Sequence, residues 1–76
     1  MLASALEHIV CGIVDNPDDV RVDARETPRG VVLRVQVHPE DRGRVIGRNG
    51  RTAQALRTVI SALAQGRRVR VDVATD

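Results

Sequence analysis

Two glycines spaced three apart, Gly47 and Gly50, constrain this chain more than any other feature. They sit between two helical patterns, in the run Val45-Ile46-Gly47-Arg48-Asn49-Gly50-Arg51, with Arg44 just before it. The spacing predicts a four-residue loop that brings main chain close to a phosphate chain and then starts a helix. Glycine permits positive φ and leaves no Cβ between backbone and ligand. The amides of Arg48, Asn49, Gly50 and Arg51 are expected at or near the first helical turn, where N–H groups and the positive dipole end favour an anion. Arg48 and Arg51 add charge, and Asn49 adds an amide. A bare GxxG equally describes a tight turn between two helices. A P-loop is excluded, because the glycines are wrongly spaced and no Lys-Ser/Thr follows. A dinucleotide fingerprint is excluded as well, since Gly43-Arg44-Val45-Ile46-Gly47 lacks the G-x-G turn and follows no strand.

Charge supports a polyanion partner. The net charge is only +2, but it is unevenly spread. Residues 1–41 hold eight acids and four arginines, a net of −4, and residues 42–76 hold eight arginines and two acids, a net of +6. The positive half contains the glycine loop. All twelve basic residues are arginine, which suits bidentate phosphate binding and also follows from a GC-rich codon bias. Seventy-six residues make one small domain, 1–76, that buries roughly 60% of its unfolded surface. With 42% apolar residues and no Phe, Tyr or Trp, its core must be aliphatic, and no aromatic ring can stack on a base. No apolar run of about 18 residues could span a membrane, and no signal-peptide start is present. A soluble, cytoplasmic protein with no membrane association is expected. Cys11, His8 and His38 stand apart from any catalytic or metal constellation and are read as structural or surface residues, so no catalytic residue, metal, cofactor or small-molecule substrate is implied.

In chain order, residues 2–14 read as a helix with Leu2, Leu6, Ile9 and Ile13 on one stripe, Val10 beside it and Cys11 off it. Pro17 disfavours helix at Asn16. Residues 20–25 alternate as a strand, Thr27-Pro28-Arg29-Gly30 is a turn, and Val31, Leu33, Val35 and Val37 mark the inner face of a second strand. Pro39 opens a short helix ending near Val45, with Glu40 and Asp41 where its dipole favours acids. From Arg51 to about Gln65 runs the longest helix, with core stripe Ala53, Leu56, Ile60 and Leu63 and a C-cap at Gly66. Val69, Val71 and Val73 form one face of a last strand, 68–73, with Arg68 and Arg70 on the other. The expected fold is an α+β two-layer sandwich whose two-helix crossover returns the third strand parallel to the second in a mixed sheet.

Set between a short and a long helix, Val45-Ile46-Gly47-Arg48-Asn49-Gly50-Arg51-Thr52-Ala53-Gln54-Ala55-Leu56-Arg57 resembles the signature of the KH domain. The order αββααβ resembles the bacterial type II arrangement and covers the whole chain. Its length and the run from Gly50 to Val59 are similar to the small stand-alone bacterial KH proteins of the KhpA family. Ala53 departs from the isoleucine common in KH domains and shortens the apolar wall beyond the loop.

The resemblance implies a non-catalytic groove for single-stranded RNA, with a GXXG loop clamping about four nucleotides. Gly47, Arg48, Asn49 and Gly50 would hold phosphates. Val45, Ile46 and Leu56, with Val35 and Val37, would floor the groove, some of them doubling as core, and Arg44, Arg51 and Arg57 would form its rim. For Arg57 a solvated helix face is an equal reading. Binding should be modest, loosely sequence-selective and salt-sensitive, with a slope of roughly −0.7 per phosphate. Ala55, Val59 and Ala62 form a second apolar strip about 100° round the long helix from the core stripe. The strip suits either a wide buried face or contact with another chain. The resemblance implies the latter: a homodimer or a pairing with a larger KhpB (Jag)-like KH protein, in the service of an RNA chaperone or regulator. A protein-interaction module with a vestigial groove is the alternative, and binding of single-stranded DNA is a third.

Overall fold

Alternating valines make the inner face of the sheet, and a tight hairpin starts it. The computed structural model describes residues 2–74; Met1, Thr75 and Asp76, the ends of the expected 1–76 domain, lie outside them. Helix α1 (Leu2–Cys11) leads into β1 (Arg21–Thr27) and β2 (Gly30–Gln36). The strands are antiparallel, and Thr27 pairs with Gly30 across a turn of Pro28 and Arg29 alone. Gly30 has φ +139°, and a Cβ there would lie 2.2 Å from the Arg68 carbonyl oxygen. The crossover carries α2 (Arg42–Ile46) and α3 (Arg51–Leu63) before β3 (Val69–Val73). β3 runs parallel to β2, so the sheet is mixed, in the order β1-β2-β3.

Val31, Leu33, Val35 and Val37 are all buried, as their alternation predicts. Leu6 and Val10 of α1, Val45 of α2, and Leu56 and Ile60 of α3 close over them. Each such side chain contributes about 1.5–3 kcal/mol when fully buried. The aliphatic core therefore comes from all three helices, the middle strand and Val71 of β3.

Several boundaries and faces differ from the sequence reading. α1 stops at Cys11 rather than at residue 14. Gly12, a poor helix former, sits at the exit, where its amide reaches both the His8 and the Ile9 carbonyls. The buried line is Leu6, Val10 and Val14, with Ile9 and Ile13 only half-buried. At the far end of α3, Ala64 takes the buried position at 5% exposure while Leu63 is 52% exposed. Four residues on from Ile60, Ala64 shares its face, whereas Leu63 has rotated off it. Gln65 and Gly66 both take left-handed conformations after the helix. β1 has almost no buried face, for Val22 is half-buried and Ala24 exposed. The helices centre on β2, the middle strand, so the outer strand is left largely uncovered.

One buried carboxylate ties the helical layer together. Asp41 is 2% exposed and accepts hydrogen bonds from the Asp15 amide at 3.2 Å, the Asn16 amide at 3.0 Å and Asn16 Nδ2 at 3.1 Å. It thereby holds the loop after α1 against the start of α2. Burial opposes its charge, but the hydrogen bonds from Asn16 and Asp15, with an attraction to His38, outweigh it and hold the carboxyl below its ordinary value. A carboxyl with a depressed folded pKa adds stability above its unfolded value and loses it as pH falls through the folded one. Asp41→Ala should therefore lower Tm by at least about 5 °C near neutral pH. The gap from the parent should narrow as pH falls through the lowered value of the folded carboxyl and the parent loses the charge. Thermal melts followed by circular dichroism check both.

Candidate nucleic-acid interface

The two loop glycines are needed for different reasons. Gly47 ends α2 with φ 78° and ψ 169°, a region that is essentially glycine-only. A Cβ there would meet Thr52 Oγ1 at 2.4 Å and the Thr52 amide nitrogen at 2.7 Å. Gly47 thus lets α2 turn directly against the first turn of α3. Gly50 is left-handed at φ 75° and ψ 15°, but a Cβ there would meet nothing within 4 Å. Open space lies beside it. Between them Asn49 is left-handed too, at φ 56°, a conformation that Asn tolerates better than most residues.

This geometry revises which amides are available. Gly50 N–H donates to the Gly47 carbonyl at 3.1 Å, and Arg51 N–H donates to the Arg48 carbonyl. Of the four amides expected at the loop, those of Arg48 and Asn49 are left without a main-chain acceptor among the described residues. Both side chains are exposed at the tip. The expected anion site is smaller than the sequence suggested, and it lies on the loop rather than in the helix.

Behind the loop opens a cleft of about 500 Å³. Ile46, Gly50, Ala53 and Arg57 line one wall, and Arg34, Asp72, Val73 and Ala74 the other. Arg57 is fixed by Nε donating to the Val71 carbonyl at 3.1 Å, on the free edge of β3. It therefore borders the cleft while remaining exposed to solvent. Arg51 is exposed at the start of α3. Arg44 is exposed as well, but its Nη1 pairs with Asp15 Oδ1 at 3.3 Å, which turns it toward the loop after α1.

Other expected members of the floor lie in the core. Val45 and Val35 are fully buried, Leu56 is 4% exposed and Val37 8%. They support the cleft from behind and offer it no surface. Val73 and Ala74 line it in place of Val35 and Val37, because β3 is the edge strand beside the cleft, and of β2 only the outward Arg34 reaches it. Arg34 and Asp72 were missed for the same reason: only the parallel register, which pairs them, brings them to the cleft. Ala53, in place of the isoleucine common in KH domains, leaves space where a longer side chain would fill the cleft. The strip on α3 is not a buried face, for Ala55 and Ala62 are exposed and Val59 is 45% exposed. Leu63 extends it. Among the described residues no cluster of His, Cys, Asp or Glu could hold a metal, and no helix is long and apolar enough to cross a membrane.

A three-stranded mixed sheet, the order αββααβ and a glycine loop between α2 and α3 define a type II KH domain. Residues 3–74 match the family described as KhpA/KhpB, KH domain, and the chain belongs to that family. A relative in Leifsonia xyli subsp. xyli, named RNA-binding protein KhpA, is 71% identical over 76 residues, covering all of both chains. Proteins of the same name are 67% identical in Streptomyces coelicolor, over 96% of this chain and 91% of that one, and 58% identical in Mycobacterium tuberculosis, over 96% and 90%. Among solved structures, Era of Aquifex aeolicus bound to GDP and aluminium fluoride superposes with a TM-score of 0.61 at 15% identity, covering 95% of this chain and 29% of that one. That likeness concerns the fold alone.

The contrast between the glycines gives a test. Gly47→Ala should cost about 2 kcal/mol or more, from a glycine-only conformation plus a clash with Thr52. Gly50→Ala should cost only about 1 kcal/mol, from its left-handed backbone alone. Urea titrations of the two variants would separate them.

Proposed function

We propose that this chain binds single-stranded RNA in the cleft behind the Gly47–Gly50 loop and carries out no catalysis, residues 1–76 acting as one KH domain. The observation that carries the reading is the joining of three features in one place. They are two loop amides without main-chain acceptors, the exposed Arg48 and Asn49, and a half-apolar cleft that starts at Gly50. Phosphates sit at the loop tip, and the bases enter the cleft against Ile46, Ala53 and Val73. Arg51 and Arg57 neutralise the backbone along the rim, and Arg44 does so only by leaving Asp15. Val45 and Leu56 hold the loop and α3 in position from the core. Kinship with proteins named RNA-binding protein KhpA supports the same reading. Chaperoning or regulating RNA in the cytoplasm is the role that suits a small, loosely selective binder.

A module this small and unselective gains selectivity by pairing. Ala55, Val59 and Ala62, exposed on α3 with Leu63, form the surface for a second copy or for a KhpB-like KH protein. The same exposed strip favours a second reading, a protein-interaction module whose RNA groove is idle.

Replacing Arg48 and Asn49 together with Asp should weaken RNA binding at least about tenfold by reversing charge at the clamp, with the far-UV circular dichroism spectrum unchanged. Unaltered affinity in fluorescence anisotropy would favour the second reading. Val59→Asp should leave the fold intact, since the side chain is exposed, and shift the protein to monomer in sedimentation equilibrium. A parent protein that is already monomeric alone and with a KhpB-like protein would remove the α3 interface.

A further inference from the structure

Beyond Arg34 and Asp72, which also border the cleft, the outer face of the sheet has no part in the function proposed above, yet it is rich in arginine. Strand phase places Arg21, Asp23 and Arg25 of β1, Arg34 of β2, and Arg70 and Asp72 of β3 on this face. Arg29 in the hairpin and Arg68 before β3 stand at one end of it. Six arginines thus face two carboxylates. Asp72 is already paired, with Arg70 Nε 2.9 Å from its Oδ1. Arg25, Arg29, Arg34 and Arg68 are exposed and make no ion pair among the described residues.

The face is also continuous with the cleft. Arg34 and Asp72, on the cleft wall, also line a neighbouring hollow of about 300 Å³ that reaches Arg25 and Val32. Val32 in turn borders a third hollow of about 270 Å³, lined by Arg29, Arg68 and Arg70. One path therefore runs from Gly50, round the β3 edge, across the middle of the sheet to the hairpin.

Resting on the RNA reading above, we infer that this path is a second track for the same RNA strand, which leaves the loop cleft and lies across the outer sheet face. The chemistry favours RNA over a protein partner. Val32 is the one large apolar side chain in outward phase on the three strands, whereas a protein interface needs an apolar centre. An open, polar and arginine-rich surface suits a phosphate backbone instead. Cross-strand arginines such as Arg25 and Arg70, on either side of Val32, flank the track. Asp23 of β1 lines the middle hollow across from Arg34 and marks the side of the track away from β3.

The test compares random-sequence single-stranded RNA of about 5 and about 12 nucleotides, lengths that fill the clamp alone and the clamp with the track. The variant carries Arg25→Gln, Arg29→Gln and Arg68→Gln, all at exposed positions. The parent should bind the longer oligomer about tenfold more tightly than the shorter, beyond the statistical gain from added sites. The variant should match the parent on the short oligomer, which also shows that it folds. On the long one it should lose most of the gain, with a salt slope shallower by roughly 1.4–2.1, as for two or three lost phosphate contacts. If the parent binds the short oligomer but gains nothing from length, the track is wrong and the clamp stands. A variant that keeps the full gain also overturns the track, leaving the face to an acidic protein. If the parent binds neither oligomer, the RNA reading fails and takes the track with it.

Discussion

The close approach of Gly47 to Thr52 sets how α2 meets α3, and the candidate site follows from that meeting. With no side chain at Gly47, the short helix ends directly on the first turn of the long one, and only four residues, Gly47 to Gly50, join the two. Arg48 and Asn49 are pushed to the tip, and Gly50 faces open space at the mouth of the cleft. A longer connection would let the two helices drift and would fill the cleft with loop. The constraint is steric, so it needs no charge and no ligand to hold it.

Two polar anchors carry that geometry into the rest of the molecule. Asp41 gathers three hydrogen bonds from the loop after α1 and so fixes where α2 begins. Arg57 reaches from α3 to the Val71 carbonyl and fixes the free edge of β3. The first positions the helix that enters the glycine loop, and the second positions the strand across the cleft from it. In an aliphatic core packing is adaptable, and directional bonds of this kind settle the relative placement of elements. Arg57 also shows why a rim arginine is not interchangeable with lysine here. Its Nε is committed to the strand, while the rest of the guanidinium remains available to the cleft.

Local patterns made most of the fold legible. The alternation of Val31, Leu33, Val35 and Val37, the Pro28–Gly30 turn, the glycine loop and the 3.6-residue stripe on α3 each follow from a single segment's own periodicity or backbone freedom. The element order read from those segments then matched the arrangement that the resemblance of the loop to the KH signature implies. The misreadings occur where neighbours decide. Leu63 and Ala64 are both apolar at the end of α3, and only the packing partner selects Ala64. Val45 and Ile46 are adjacent in the loop's approach, yet one is wholly buried and the other borders the cleft. Which loop amides are spent inside the turn likewise depends on its three-dimensional closure.

The sequence by itself determined that Gly47 and Gly50 break the crossover into two helices, that arginine gathers around the break, and that the core is aliphatic. These properties belong to single residues and short repeats, and no distant contact can change them. Only the tertiary structure decided which strand borders the cleft, which arginines stand in it and how little of β1 the helices cover. Those outcomes depend on the parallel register that sets Asp72 beside Arg34 and on the helices centring over β2. Register and layer placement are set by contacts between segments far apart in the chain, and no local pattern encodes them.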